Sequence, residues 1–243
     1  MTRHETRPTW RPSLVDAGRR RALMGLSGAL MAAMGARRAA AQGGRGAAQG
    51  PGRCVLTPEA GEGPFYLDPN LVRSDITSSR PGASLGLALQ VVREGDCATL
   101  ADARVDVWHA DALGLYSGYA EQSGVGGIST DGAVGQQYLR GTQITDAEGR
   151  VRFRTVYPSW YGGRTPHVHV KVFLGSDEVV ASQIFFPDEI NEDVFTTRDP
   201  YRQHVSKRRA FNRNDPIPEG ITSEAGRNGD GYAASAVLVV ARR

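Results

Sequence analysis

The sequence predicts an all-β domain, a β-sandwich of mixed or antiparallel strands with long functional loops, on three observations. Short stretches alternate apolar and polar residues with a period of two, as half-buried strands do. Thirty glycines and thirteen prolines are spread between those stretches, which suits strands joined by many turns. No long stretch of the body places apolar residues at i, i+3, i+4 and i+7, so a helical bundle is not expected.

The first 41 residues read as an export signal. Arg19, Arg20 and Arg21 precede an uncharged run over 22–36, and Ala39, Ala40 and Ala41 before Gln42 fit an A-x-A cleavage site. The run is shorter than the about 20 apolar residues that a membrane span needs. The consecutive arginines suggest the twin-arginine route, although the serine or threonine often found before them is absent. A short membrane-anchoring helix is the alternative. Residues 42–53 are expected to be a flexible Gly/Ala/Gln leader, and 54–243 a single folded domain with a polar C-terminal extension. The expected location is periplasmic or extracellular, with no stable membrane span in the mature form.

Within the body, TPEAGEGPFYLD (57–68) is rich in turn formers and predicts an irregular arm. Leu85, Leu87, Leu89 and Val91 alternate with smaller or polar residues and predict the first strand. Val105 and Val107 begin a second, which DALGLYSGY turns out of. Val151, Phe153 and Thr155 alternate against Arg152 and Arg154 in a third. HVHVKVF, VVASQIFF near Val179, and AASAVLVVA near the C-terminus complete the series. Two stretches resist this reading: 120–135 is Gly-rich, and 187–226 is polar and dense in Arg, Asp and Asn. Both are expected to be loops, with a short helix over 188–195. Loops of such length in a compact domain are usually functional or flexible.

The net charge of +3 misdescribes the body. Residues 1–41 hold eight arginines against Glu5 and Asp16, leaving 21 basic and 24 acidic side chains, a net charge of −3. A mildly acidic body offers no electrostatic footprint for nucleic acid. The two cysteines, Cys54 and Cys97, are expected to form a disulfide in an oxidising compartment, with two buried free thiols as the alternative.

The most informative stretch is YPSWYGGRTPHVHVKV over 157–172. In a strand, His167 and His169 project to one face and Val168 and Val170 to the other, so two imidazoles can converge on one ion. Pro166 stands where a missing N–H costs little and biases Thr165 toward an extended conformation. The bland reading is a polar, solvent-facing edge. No cysteine or acidic residue lies within a few positions to complete a zinc set, whereas Tyr157 and Tyr161 are close, and a hard, highly charged ion recruits oxygen anions.

Taken together, TPEAGEGPFY, RSDI, VDVWHADALGLYS, TDAEGRVRFRTVYPSWY, GGRTPHVHVKV and SQIFFP, in that order over roughly 54–186, resemble the intradiol ring-cleavage dioxygenases, the family of catechol and protocatechuate dioxygenases, and its exported single-domain branch in particular. The resemblance implies Fe(III) held by two tyrosines and two histidines, which here match Tyr116, Tyr161, His167 and His169, with Tyr157 as local competitor to Tyr161. It implies that Arg164 orients and electrostatically supports substrate, that Gln183 lies beside the reacting centre, and that Gly63, Pro64 and Phe65 line the pocket. It further implies a catechol-type substrate and O2, with cleavage between the two hydroxyl-bearing carbons to a cis,cis-muconate-type diacid and with Tyr161 taking one substrate proton. Only Gly162 and Gly163 separate Tyr161 from Arg164, where intracellular relatives carry a longer insert.

Each residue also has a structural reading: buried core tyrosines at 116 and 161, a surface ion pair at Arg164, a solvent-facing Gln183. Trp108, Trp160 and His109 read as packing. An exported β-sandwich binding module for polysaccharide or aromatic polymer is the competing function, and a zinc or copper site on His167 and His169 alone is a third. A homo-oligomer is left open.

Overall fold

The computed structural model describes residues 54–68, 71–122, 124–125, 129–130 and 132–241; the expected export signal and leader lie outside them. The described residues form two packed sheets. One has the order β4-β1-β9-β8, from β1 (Ser84–Arg93), β4 (Arg150–Val156), β8 (Glu224–Asn228) and β9 (Gly231–Val240). The other runs β3-β2-β5-β6-β7, from β2 (Arg104–Trp108), β3 (Arg140–Ile144), β5 (His167–Leu174), β6 (Asp177–Phe185) and β7 (Ile221–Thr222). Pairing is mixed: β1 with β9 and β6 with β7 are parallel, the rest antiparallel.

Period-two alternation decides which side chains meet between the sheets. Leu85, Leu87, Leu89, Val151, Phe153, Tyr232 and Leu238 from the four-stranded sheet pack against Val105, Val107, Val168, Val170, Val172 and Ile184 from the five-stranded one. Burying such side chains is worth about 1.5–3 kcal/mol each and sets the register, because a one-residue slip would turn the set outward.

Three strands escape the period-two reading. In β3, Arg140 and Thr142 are buried under loops instead of an apolar partner sheet, so no apolar alternation marks the strand. β7 lies within 187–226 and β8 begins there, in a stretch expected to be loop, together with α1 (Asp188–Thr197) and three 3-10 turns at 201–203, 205–207 and 212–214. The polar segment is thus folded onto the body. Helix α1 opens after Pro187 with Asp188 and Glu189 in its first turn, favourable against the helix dipole, and buries Asn191, Val194 and Phe195. Cys54 and Cys97 form a disulfide.

Candidate metal centre

Since Val168 and Val170 face the core, His167, His169 and Lys171 face outward from the five-stranded sheet. Cross-strand partners share a face. The pairs Arg140–Trp108, Trp108–His169 and His169–Gln183 therefore form one row across four strands. Loops roof that row and leave its polar members nearly inaccessible.

Four atoms from three segments meet under this roof. Tyr161 Oη lies 3.3 Å from His167 Nε2, which lies 3.1 Å from His169 Nε2, which lies 3.1 Å from Tyr116 Oη. Tyr157 is elsewhere: its hydroxyl donates to Asn191 Oδ1 at 2.9 Å, and its ring packs on Phe186 in the core.

Local chemistry explains how each loop reaches the site. Asp111 Oδ1 accepts from the N–H groups of Leu113 (2.8 Å) and Leu115 (3.0 Å), an Asx-type turn that aims the chain at Tyr116. Gln122 then clamps Tyr116 from both sides, accepting from its N–H at 2.6 Å and donating to its carbonyl at 2.7 Å. Tyr161 and Arg164 flank a two-residue hairpin turn closed by Arg164 N–H to the Tyr161 carbonyl at 2.6 Å. Gly162 and Gly163 adopt φ of 48° and 85°, as a type I′ turn demands. Gly63 in the 57–68 arm passes so close to His169 that a Cβ there would stand 3.2 Å from the imidazole Cε1. Phe65 stacks on Tyr116 at 4.5 Å, and Trp108 stacks on His169 at 4.9 Å and 8°, so Trp108 shapes the site as well as packing.

Arg164 is anchored on two sides. Its Nε donates to Asp215 Oδ1 at 2.8 Å, and its Nη2 to Gln183 Oε1. Asp215 also accepts from Thr165 N–H at 2.7 Å, and the Thr165 carbonyl receives His167 Nδ1–H at 2.7 Å. His109 stands apart, bonded through Nδ1–H to the Ala110 carbonyl and through Nε2 to Thr155 Oγ1, both at 2.8 Å. Asp215, Gln122 and Arg140 were not singled out in the sequence. Asp215 sits in an Asp-Pro pair that reads as a turn, and nothing local ties it to Thr165, 50 residues earlier.

Electrostatics leaves all four converging groups neutral. Burial, and next the Arg164 charge, pulls His167 down to about 3, while burial and then His167 hold His169 well below the ordinary imidazole range. Burial first, then Tyr161, pushes Tyr116 well above the ordinary phenol range; burial also raises Tyr161, against opposing contributions from Tyr116 and Arg164. The His167 Nδ1–H bond leaves Nε2 as a bare lone pair aimed at His169, whose own Nδ1 is buried without a partner among the described residues. A cation fits between such atoms. Ligands about 2.1 Å from one first-row ion and at right angles to each other stand about 3.0 Å apart, close to the spacings here. Among the described residues no group of three or more His, Cys, Asp and Glu could hold a metal, and the oxygens that stand beside this imidazole pair are those of Tyr116 and Tyr161. Two phenolates suit a hard, highly charged ion such as ferric iron.

A family model described as Dioxygenase matches residues 61–214. An intradiol ring-cleavage dioxygenase from Tetranychus urticae is 30% identical, with a TM-score of 0.68 over 77% of this chain and 95% of that one. The dioxygenase domain of a dioxygenase carbohydrate-binding protein fusion from Streptomyces sp. SirexAA-E is 25% identical, with a TM-score of 0.58 over 78% of this chain and all of that one. A catechol 1,2-dioxygenase from Acinetobacter baylyi is 31% identical over 114 residues, 44% of this chain and 32% of that protein. The matches span between 32% and 57% of the length of the curated relatives.

Proposed function

The chain belongs to the intradiol ring-cleavage dioxygenase family, and from that premise we propose that it is a ferric, non-haem enzyme that inserts both atoms of O2 into a catechol-type diphenol. Cleavage falls between the two hydroxyl-bearing carbons and yields a cis,cis-muconate-type diacid. The observation that carries this reading is the convergence of Tyr116 Oη, Tyr161 Oη, His167 Nε2 and His169 Nε2 through contacts of 3.1–3.3 Å. These four residues would hold Fe(III), which supplies electron withdrawal from the bound diphenol and makes its ring reactive toward O2.

The chain's own residues do the rest. Tyr161, the less enclosed of the two phenols, would give up its own proton on binding the ion and, as a phenolate, can accept one proton of the incoming diphenol at Oη. His167 stays in one tautomer because Thr165 takes its Nδ1–H. Arg164, fixed by Asp215 and Gln183, presents charge to the anion that develops on substrate. Phe65 covers the Tyr116 ring and limits water. We also propose that residues 1–41 direct export to a periplasmic or extracellular location, which the Cys54–Cys97 disulfide suits.

The test is oxygen uptake and muconate formation with catechol, protocatechuate and hydroxyquinol, alongside the visible phenolate-to-iron band of the purified protein. Tyr116→Phe and His169→Ala should lose iron and colour, whereas Tyr157→Phe should keep both. Full iron content in the first two, or no uptake with any of the three diphenols, would reject the assignment.

A further inference from the structure

We infer that Arg140 is a positioning residue that holds Tyr116 in place for metal binding, through a guanidinium fork closed on the two chain segments that frame that phenol. The inference rests on the metal reading above and adds to it a residue outside the ligand set and the Arg164 cluster.

Arg140 stands on the outer face of β3, across from Trp108 in the row that contains His169. It is 1% exposed, one of the largest fully buried side chains among the described residues. Among the described residues every acceptor bonded to its side chain is neutral: Nε donates to Ser117 Oγ at 2.8 Å, Nη2 to the Ser117 carbonyl at 2.7 Å, and Nη1 to the Phe65 carbonyl at 2.6 Å. Burial pulls the group down to about 10, which still leaves it charged at neutral pH. A buried cation bonded to no carboxylate is a costly way to join two loops, since its desolvation is not offset by an ion pair. Ordinary loop packing does not call for it.

Geometry supplies the reason. Ser117 follows Tyr116 in the chain, and its hydroxyl passes the bond on to the Tyr138 carbonyl at 2.7 Å. Phe65 stacks on the Tyr116 ring at 4.5 Å with planes 19° apart. One planar group thus fixes the peptide beside the phenol and the ring that covers it. Lysine could not replace it, because a single ammonium cannot span three acceptors in a fixed plane.

The sign of the effect separates positioning from electrostatics. A positive charge beside the centre opposes cation binding, so if charge were its main influence, Arg140→Met would bind iron more tightly. Positioning predicts the reverse, and predicts the same loss for Arg140→Lys, which keeps the charge and loses the fork. Supporting groups around metal ligands typically change affinity about 10- to 100-fold.

The experiment is iron titration of the metal-free full chain and of Arg140→Lys, Arg140→Met and Ser117→Ala, with the visible phenolate band recorded at saturation and folding checked by cooperative thermal unfolding. Both Arg140 variants are expected to bind iron about 10- to 100-fold more weakly with a displaced or weakened band, and Ser117→Ala severalfold more weakly. Wild-type affinity and band in Arg140→Met, tighter binding there, or full retention in Arg140→Lys overturns the inference. If the Arg140 variants do not fold, Ser117→Ala decides: unchanged affinity and band overturn it. Failure of the wild-type chain to bind iron with colour removes the metal reading itself, and this inference with it.

Discussion

Asp215→Ala tests whether the polar segment after β6 is part of the site's framework. Its carboxylate, with a side chain 1% exposed, accepts from Arg164 Nε at 2.8 Å, Thr165 N–H at 2.7 Å and Ile217 N–H at 2.9 Å. Truncation leaves a guanidinium whose side chain is 10% exposed without its counter-charge and strips two N–H groups of their acceptor. Removing one partner of a buried pair costs about 3–5 kcal/mol. For a domain of this size that corresponds to a midpoint lowered by about 10 °C. Calorimetry or thermal circular dichroism of the metal-free protein reads it directly. Asp199→Asn, which breaks the exposed pair with Arg202, serves as the control and should leave the midpoint in place. Activity should fall as well, because Thr165 links Asp215 to the His167 tautomer. A midpoint within about 2 °C of wild type would refute the claim that Asp215 carries a buried ion pair.

Gly114→Ala should separate the two tyrosine loops, because a Cβ there would stand 2.6 Å from the Trp160 carbonyl and 3.3 Å from Tyr161 Cβ, at a φ of +76°. A cost of about 1–3 kcal/mol and a weaker phenolate band are expected; unchanged stability and colour would count against that contact. His109 is lowered to about 4 by burial, against 6.5 when unfolded, so the folded state binds fewer protons between those values. Its contribution is full above pH 6.5 and is lost as pH falls toward 4, about 3 kcal/mol in all. Urea unfolding of His109→Gln should show a shallower loss of stability from pH 7 to pH 4.5 than wild type, and an identical slope would refute it.

Six of the strands and the sandwich class are readable from alternation alone, because the packing of Leu85, Phe153 or Val170 into the core is written at every second residue. The short helix expected over 188–195 is present and extends to Thr197. Strands β3, β7 and β8 are not readable, because the faces that would mark them are covered by loops or lie at a short edge. The HxH spacing places His167 and His169 on one face, while the tight Gly162–Gly163 turn sets Tyr161 beside Arg164.

What the chain order could not contain is distance across the fold. Tyr116 meets His169 over 53 positions, Arg164 meets Asp215 over 51, and Arg140 meets Phe65 over 75. Local periodicity reports which face a side chain takes, since that follows from the backbone repeat. Which side chains share a face with which loops depends on how sheets pair and loops close, and those are settled only when the whole chain buries its apolar surface together.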